Sequence, residues 1–184
     1  VRAAQFLPVR TAPSKTDIVA FAGEAVKVAD RLVLLKLGQV QNADVIQAGT
    51  GFDLTGFERV IDNYGIRHTM KQHGSPTIEA ARGQIAVTLD DFALILDITA
   101  APDAVVHDGK NKIGREVLVF TKVIDGIGYR HVEEIRANRR LVATDSLRKK
   151  KGPWGPESTP ATSACCLATP SLNVRNGFAG AMRF

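Results

Sequence analysis

Residues 116–136 read EVLVFTKVIDGIGYRHVEEIR, two alternating runs on either side of Asp125-Gly126. An Asp-Gly pair between β-branched and aromatic runs marks a two-residue hairpin, because both loop positions need positive φ and glycine adopts it without strain. The register then follows. Ile124 faces Ile127, Lys122 faces Tyr129, Phe120 faces His131 and Val119 faces Val132. Lys122, Tyr129 and His131 point to one side of the sheet, and Arg130, Glu134 and Arg136 to the other. One face must cover helices, which leaves the other free to bind.

Working outward, 104–107 forms a short strand ended by Asp108-Gly109, and 141–147 returns after a turn around Asn138. Consecutive strands joined by hairpins give an antiparallel sheet of four or more strands. Upstream, Thr16 or Asp17 caps a helix running toward Leu37 with Val19, Phe21, Ala22, Ala25, Val26, Ala29, Leu32 and Val33 as its buried stripe, closed by Gly38. A turn-rich connection, 39–56, leads to a second helix over 59–74, with Thr55 as cap and Glu58 completing a capping box. A third begins at the box Thr88–Asp91, buries Phe92, Ile95, Leu96 and Ile98, and stops before Pro102. Helices before strands make the fold class α+β. Residues 1–15 read as irregular, 148–170 as an irregular loop holding the basic run Arg148 to Lys151, and 171–184 as a last strand.

The 184 residues suffice for one sizeable core with an extension. A start on Val1 is expected of a fragment or a processed product. No apolar run reaches a membrane-spanning length, and no secretory leader pattern is visible. The adjacent Cys165 and Cys166 close almost no loop, so a disulfide scaffold is not indicated. Residues 1–106 carry 10 basic and 12 acidic side chains, whereas 107–151 carry 12 and 6. Concentrating the positive charge on the sheet segment points to a polyanion or an acidic protein as partner.

Chemistry is concentrated in 59–74, RVIDNYGIRHTMKQHG, which holds two of the four histidines. Gly74 and Pro76 stop the helix, so His68 and His73 sit near a helix C-terminus, where partial negative charge favours imidazolium and holds the pKa near or above neutrality. Five residues at about 100° each put the two rings roughly 140° apart, so they share a face only if the last turn unwinds at Gly74. His68 and Gln72, four apart, share one. Metal ligation, unrelated packing histidines and an acid/base pair remain open, and the acid/base reading is preferred because no third ligand lies at zinc spacing. Polar residues of the following connection, Glu79, Arg82 and Gln84, either face the same cleft or only tie the loop down, and the two readings stand equal. Trp154 either stacks on a base or pins its loop to the body.

The segments GIRHTMKQHG at 65–74, RGQIAVTLDDFALI at 82–95, VLVFTK at 117–122, HVEEIR at 131–136 and LVATDS at 141–146 together resemble the phage-associated branch of the small-nuclease superfamily that includes barnase, EndoU, certain colicins and RelE. The resemblance covers roughly 59–148. It implies N-terminal helices packed on an antiparallel sheet, with 1–56 as a helical extension and 57–184 as a ribonuclease-like toxin domain. It also places the family's catalytic positions on His68, His73, Lys122, Arg136 and Thr144, with Glu134 beside Arg136. Expected substrate contacts are Gln72, Arg82, Tyr129, Glu134, Lys149, Lys150 and Trp154.

The activity implied is metal-independent RNA cleavage through the 2′-hydroxyl, leaving a 2′,3′-cyclic phosphate and a 5′-hydroxyl, with no cofactor. RNA is the expected substrate, an acidic immunity or antitoxin protein the expected neutraliser, and the cytoplasm of a target bacterium the expected site of action after delivery within a larger protein. Two readings stand beside it: a module that binds RNA or protein without chemistry, and a structural domain of a phage particle.

Overall fold

The hairpin forms in the register given above. In the computed structural model, which describes residues 5–6 and 12–155, β5 (Glu116–Ile124) and β6 (Ile127–Arg136) pair antiparallel with Phe120 opposite His131 and Lys122 opposite Tyr129. Asp125 and Gly126 both take positive φ. On the outer side β4 (Ala104–Lys110) pairs with β5, and on the inner side β7 (Leu141–Lys151) pairs with β6, all antiparallel. The fold is thus α+β, helices packed against a many-stranded and mainly antiparallel sheet.

Three further strands come from what reads as helix, connection or irregular chain. β1 (Gln5–Phe6), β2 (Val33–Gln39) and β3 (Glu58–Asp62) extend one sheet in the order β1-β2-β3-β7-β6-β5-β4. The contacts β1–β2 and β3–β7 are parallel, so the sheet is mixed. The first helix, α1 (Lys15–Ala25), is capped by Ser14 and stops at Val26 well short of Leu37. Its stop is tertiary: the buried Asn63 amide donates to the Val28 and Arg31 carbonyls and accepts from the Val33 N–H, holding the chain as a turn between α1 and β2. Gly38 does not close a helix but sits at a bulge in β2 with φ of +113°. Within 39–56 lies α2 (Ala43–Thr50).

The stretch 59–74 divides in two. Val60 and Ile61, both fully buried, belong to β3; Asp62 then caps α3 (Asn63–His73) by accepting from the Gly65 N–H, so Thr55 and Glu58 form no box there. Where β3 ends, α3 takes its place beside β7, and the Thr69 hydroxyl accepts the Leu147 N–H that the strand would have taken. A β-carbon on Gly65 would overlap the Thr144 carbonyl oxygen. Gly65→Ala should therefore push α3 off β7 at a cost of about 1–3 kcal/mol, read as a lower denaturation midpoint; a parent-like midpoint would show that the helix does not pack this closely.

Beyond α3 come α4 (Pro76–Ala81), a 3-10 helix (Leu89–Leu94) with the expected Thr88–Asp91 box, and α5 (Ile95–Ala100). One sheet face packs against the helices, and Ile18 and Ala22 of α1 share its core with Ile66, Phe92, Phe120 and Leu147. Arg148 to Lys151 lie in β7 rather than in a loop. Trp154 pins the chain to the body, donating from Nε1 to the Gly128 carbonyl at 3.0 Å beneath the Lys150 ammonium. The rest of the expected loop, the 171–184 strand and both cysteines lie outside the described residues. No helix among the described residues is long and apolar enough to cross a membrane.

Candidate active site

α3 runs as regular helix through His73, and its last turn does not unwind. His68 and His73 nevertheless line one cleft of about 310 Å³ with Gln72, Arg82, Gln84 and Arg148. The cleft wraps around the helix end because the chain folds back over it. Ser75 and Pro76 start α4, and the following segment ties itself to both neighbours: Val87 N–H donates to the His73 carbonyl and Ile85 N–H to the Lys149 carbonyl. His73 forms the buried floor and His68 the exposed rim.

Behind His73 lies Glu79, fully buried, whose Oε2 is 3.3 Å from His73 Nδ1 while Oε1 accepts from Arg82 Nη1 at 2.6 Å. That contact occupies Nδ1 and leaves Nε2 for a reacting group. Arg82 also donates to the Gln72 carbonyl through Nη1. A guanidinium has five N–H donors, so the remainder of this half-exposed fork is available to an anion. The Gln84 Oε1 is buried with no hydrogen-bond partner, an acceptor waiting for a donor from whatever enters.

The electrostatics of His73 differ from the expectation. Burial, and then the Arg148 guanidinium, push its pKa below the ordinary histidine value against the opposing pull of Glu79. Desolvation is the largest influence, because a ring shut into the floor loses the hydration that stabilises its charged form. Near neutral pH His73 is a free base rather than an acid.

The other expected site residues lie elsewhere. Arg136 is across the sheet face, bridging Asp62 and Glu134 at 2.7 Å each, so it locks the α3 cap to β6. Glu134 also accepts from Asn111 and Arg115. Thr144 is buried beneath the start of α3 with its hydroxyl unpartnered. Lys122 is on the helix-covered face, as the register requires, and donates to the Ala101 carbonyl at the end of α5. Lys149 and Tyr129 both reach Asp91 of the capping box, and burial pushes the Tyr129 hydroxyl up to about 12. Much of the positive charge of 107–151 is therefore engaged in internal pairs.

The cleft brings together His68, Gln72, His73 and Arg82 of the expected site and adds Gln84, whose residue type left a loop-tying role equally open, and Arg148, which the sequence reading did not single out. The signal was present: Leu147-Arg148-Lys149 continues the strand alternation of β7, which puts Arg148 and Lys149 on opposite faces. Among the described residues no three His, Cys, Asp or Glu side chains are placed to hold a metal ion.

Comparison with curated proteins and with solved structures finds no match. A family model, phage-Barnase-EndoU-ColicinE5/D-RelE like nuclease3, matches residues 36–153, which runs from within β2 through β7 and includes every residue of the histidine cleft. The chain belongs to this family of phage-associated, nuclease-like toxin domains.

Proposed function

We propose that the chain is a metal-independent endoribonuclease toxin that cuts RNA by attack of the 2′-hydroxyl on the adjacent phosphate. The observation that carries the reading is the convergence of two imidazoles and two guanidiniums on one small cleft. In-line attack needs a base for the 2′-hydroxyl proton, an acid for the departing 5′-oxygen and positive charge at phosphorus. His73, uncharged and held through Nδ1 by Glu79, supplies the base at Nε2. His68 on the rim protonates the leaving oxygen. Arg82 and Arg148 hold the phosphoryl oxygens, and Gln84 Oε1 accepts from a hydroxyl or amine of the substrate. The products are a 2′,3′-cyclic phosphate and a 5′-hydroxyl.

The same cationic cleft suits an acidic immunity or antitoxin protein, whose complementary charge would speed its association. Delivery of the domain into a bacterial cytoplasm completes the proposal. The test is incubation of the purified protein with single-stranded RNA in excess chelator, with product ends identified and a DNA of the same sequence as control. Cutting of RNA alone to cyclic-phosphate ends, stopped by the acidic neutraliser, is the expected result. Loss of cutting on chelation would sink the metal-free mechanism, and tight RNA retention with no cutting would leave a binding module.

A further inference from the structure

A second and larger cleft, about 860 Å³, opens at the other end of α3 between the helix and the β5–β6 end of the sheet. Its lining includes Phe52, Phe57, Tyr64, Arg136, Asn138 and Arg139. Tyr64 is 50% exposed, the largest exposure of any Phe, Tyr or Trp among the described residues. The volume falls in the range of small-ligand sites, and aromatic surface beside the Asn138 amide, three guanidiniums and the carboxylates of Asp53 and Glu116 offers a face for stacking and both donors and acceptors for the edges of a nucleobase.

The two clefts are joined by one row of side chains. Tyr64, His68 and Gln72 stand four residues apart along α3, so they share a helix face and rise about 6 Å per step. Tyr64 lines the large cleft, and His68 and Gln72 line the small one. A strand with its scissile phosphate between His68 and His73 thus has a neighbouring nucleotide within reach of Tyr64.

Resting on the proposed function, we infer that the large cleft is a nucleotide subsite. It takes the base of a single-stranded RNA nucleotide next to the cleavage point by stacking on Tyr64, and Arg139 meets the adjoining phosphate. Arg136 is held by Asp62 and Glu134 and shapes the wall. Arg139 sits on the turn between β6 and β7, exposed at the mouth. Asn138 beside it offers both a donor and an acceptor to a base edge.

The test separates binding from chemistry by using a fluorescein-labelled 12-nucleotide 2′-O-methyl RNA of mixed sequence, which has no free 2′-hydroxyl and stays intact. Polarisation titrations on the whole chain are expected to give a Kd for Tyr64→Ala about 5-fold to 150-fold weaker than the parent, from the loss of one stacked base. Tyr64→Phe should stay within about 2-fold, since the ring face is kept. Arg139→Ala should reduce the slope of log Kd against log salt by about 0.7, the share of one phosphate contact. Circular dichroism and melting confirm folding of these surface variants. Parent-like affinity and slope in Tyr64→Ala and Arg139→Ala would overturn the subsite while leaving cleavage at the histidines standing. No binding of the 12-mer by the parent would also overturn it and would point to an acidic protein as the occupant. Tyr64-dependent binding by a chain that cuts no RNA would keep the subsite and remove the nuclease reading.

Discussion

A His73→Gln protein is expected to fold like the parent and to cut a defined RNA about 100-fold to 10,000-fold more slowly, the usual loss for a principal proton-transfer group. Glutamine retains a hydrogen-bond partner for the buried Glu79 yet has no basic nitrogen, so the comparison isolates the proton step. The pH profile carries the second half of the expectation. Because burial and Arg148 lower the His73 pKa, the acid limb of kcat/KM should fall below the ordinary histidine value of about 6.5. Glu79 opposes that shift, so Glu79→Gln should move the limb to still lower pH. Glu79 acts here by positioning and polarising His73. A parent-like rate in His73→Gln would place the base elsewhere, and an acid limb above pH 7 would contradict the buried neutral ring.

The largest effect on stability is expected at Glu133. It lies fully buried on the helix-covered face, accepts from Arg59 through both oxygens at 2.7 and 3.2 Å, and meets His131 Nε2 at 3.0 Å. Glu133→Ala would strand the buried Arg59 guanidinium without a counter-charge, which costs about 3–5 kcal/mol and lowers the melting temperature by roughly 6–20 °C for a chain of this size. Replacing both Arg59 and Glu133 with apolar residues should restore much of the loss, since the pair itself contributes little beyond offsetting its own desolvation. Burial opposes ionisation of Glu133, but Arg59 and His131 outweigh it and hold the pKa at about 2. A carboxylate so depressed contributes stability that is present above pH 4.5 and lost as the pH falls toward 2. Denaturation midpoints of parent and variants across that window check both statements. A Glu133→Ala protein as stable as the parent would mean that Arg59 finds water or another anion.

Local sequence determined a good part of this protein. The β5–β6 hairpin was legible to the residue, because a two-residue Asp-Gly turn sets the register and the register sets every side-chain face. The Thr88–Asp91 box and the Gly74 stop were equally local, since the groups they satisfy are adjacent in the chain. The motifs around the two histidines likewise carried the family, and the helix spacing correctly paired His68 with Gln72.

What the sequence left open depended on partners far away in the chain. Residues 26–37 have a helical apolar stripe, but Asn63 captures the carbonyls at 28 and 31, and Leu34 to Lys36 find the β3 ladder, so the helix ends and a strand begins. Val60 and Ile61 fit either period, and pairing with β2 and β7 decided for strand. The same holds at the site. Arg148 enters the histidine cleft because β7 continues past Leu147 to bond with Ile85, whereas Arg136 is drawn away by Asp62, a cap that exists only once β3 has handed over to α3. His73 lost its expected imidazolium for a like reason: a helix terminus acts along the chain, but the pKa is lowered by burial and by Arg148 of β7, which only the tertiary structure brings to the ring.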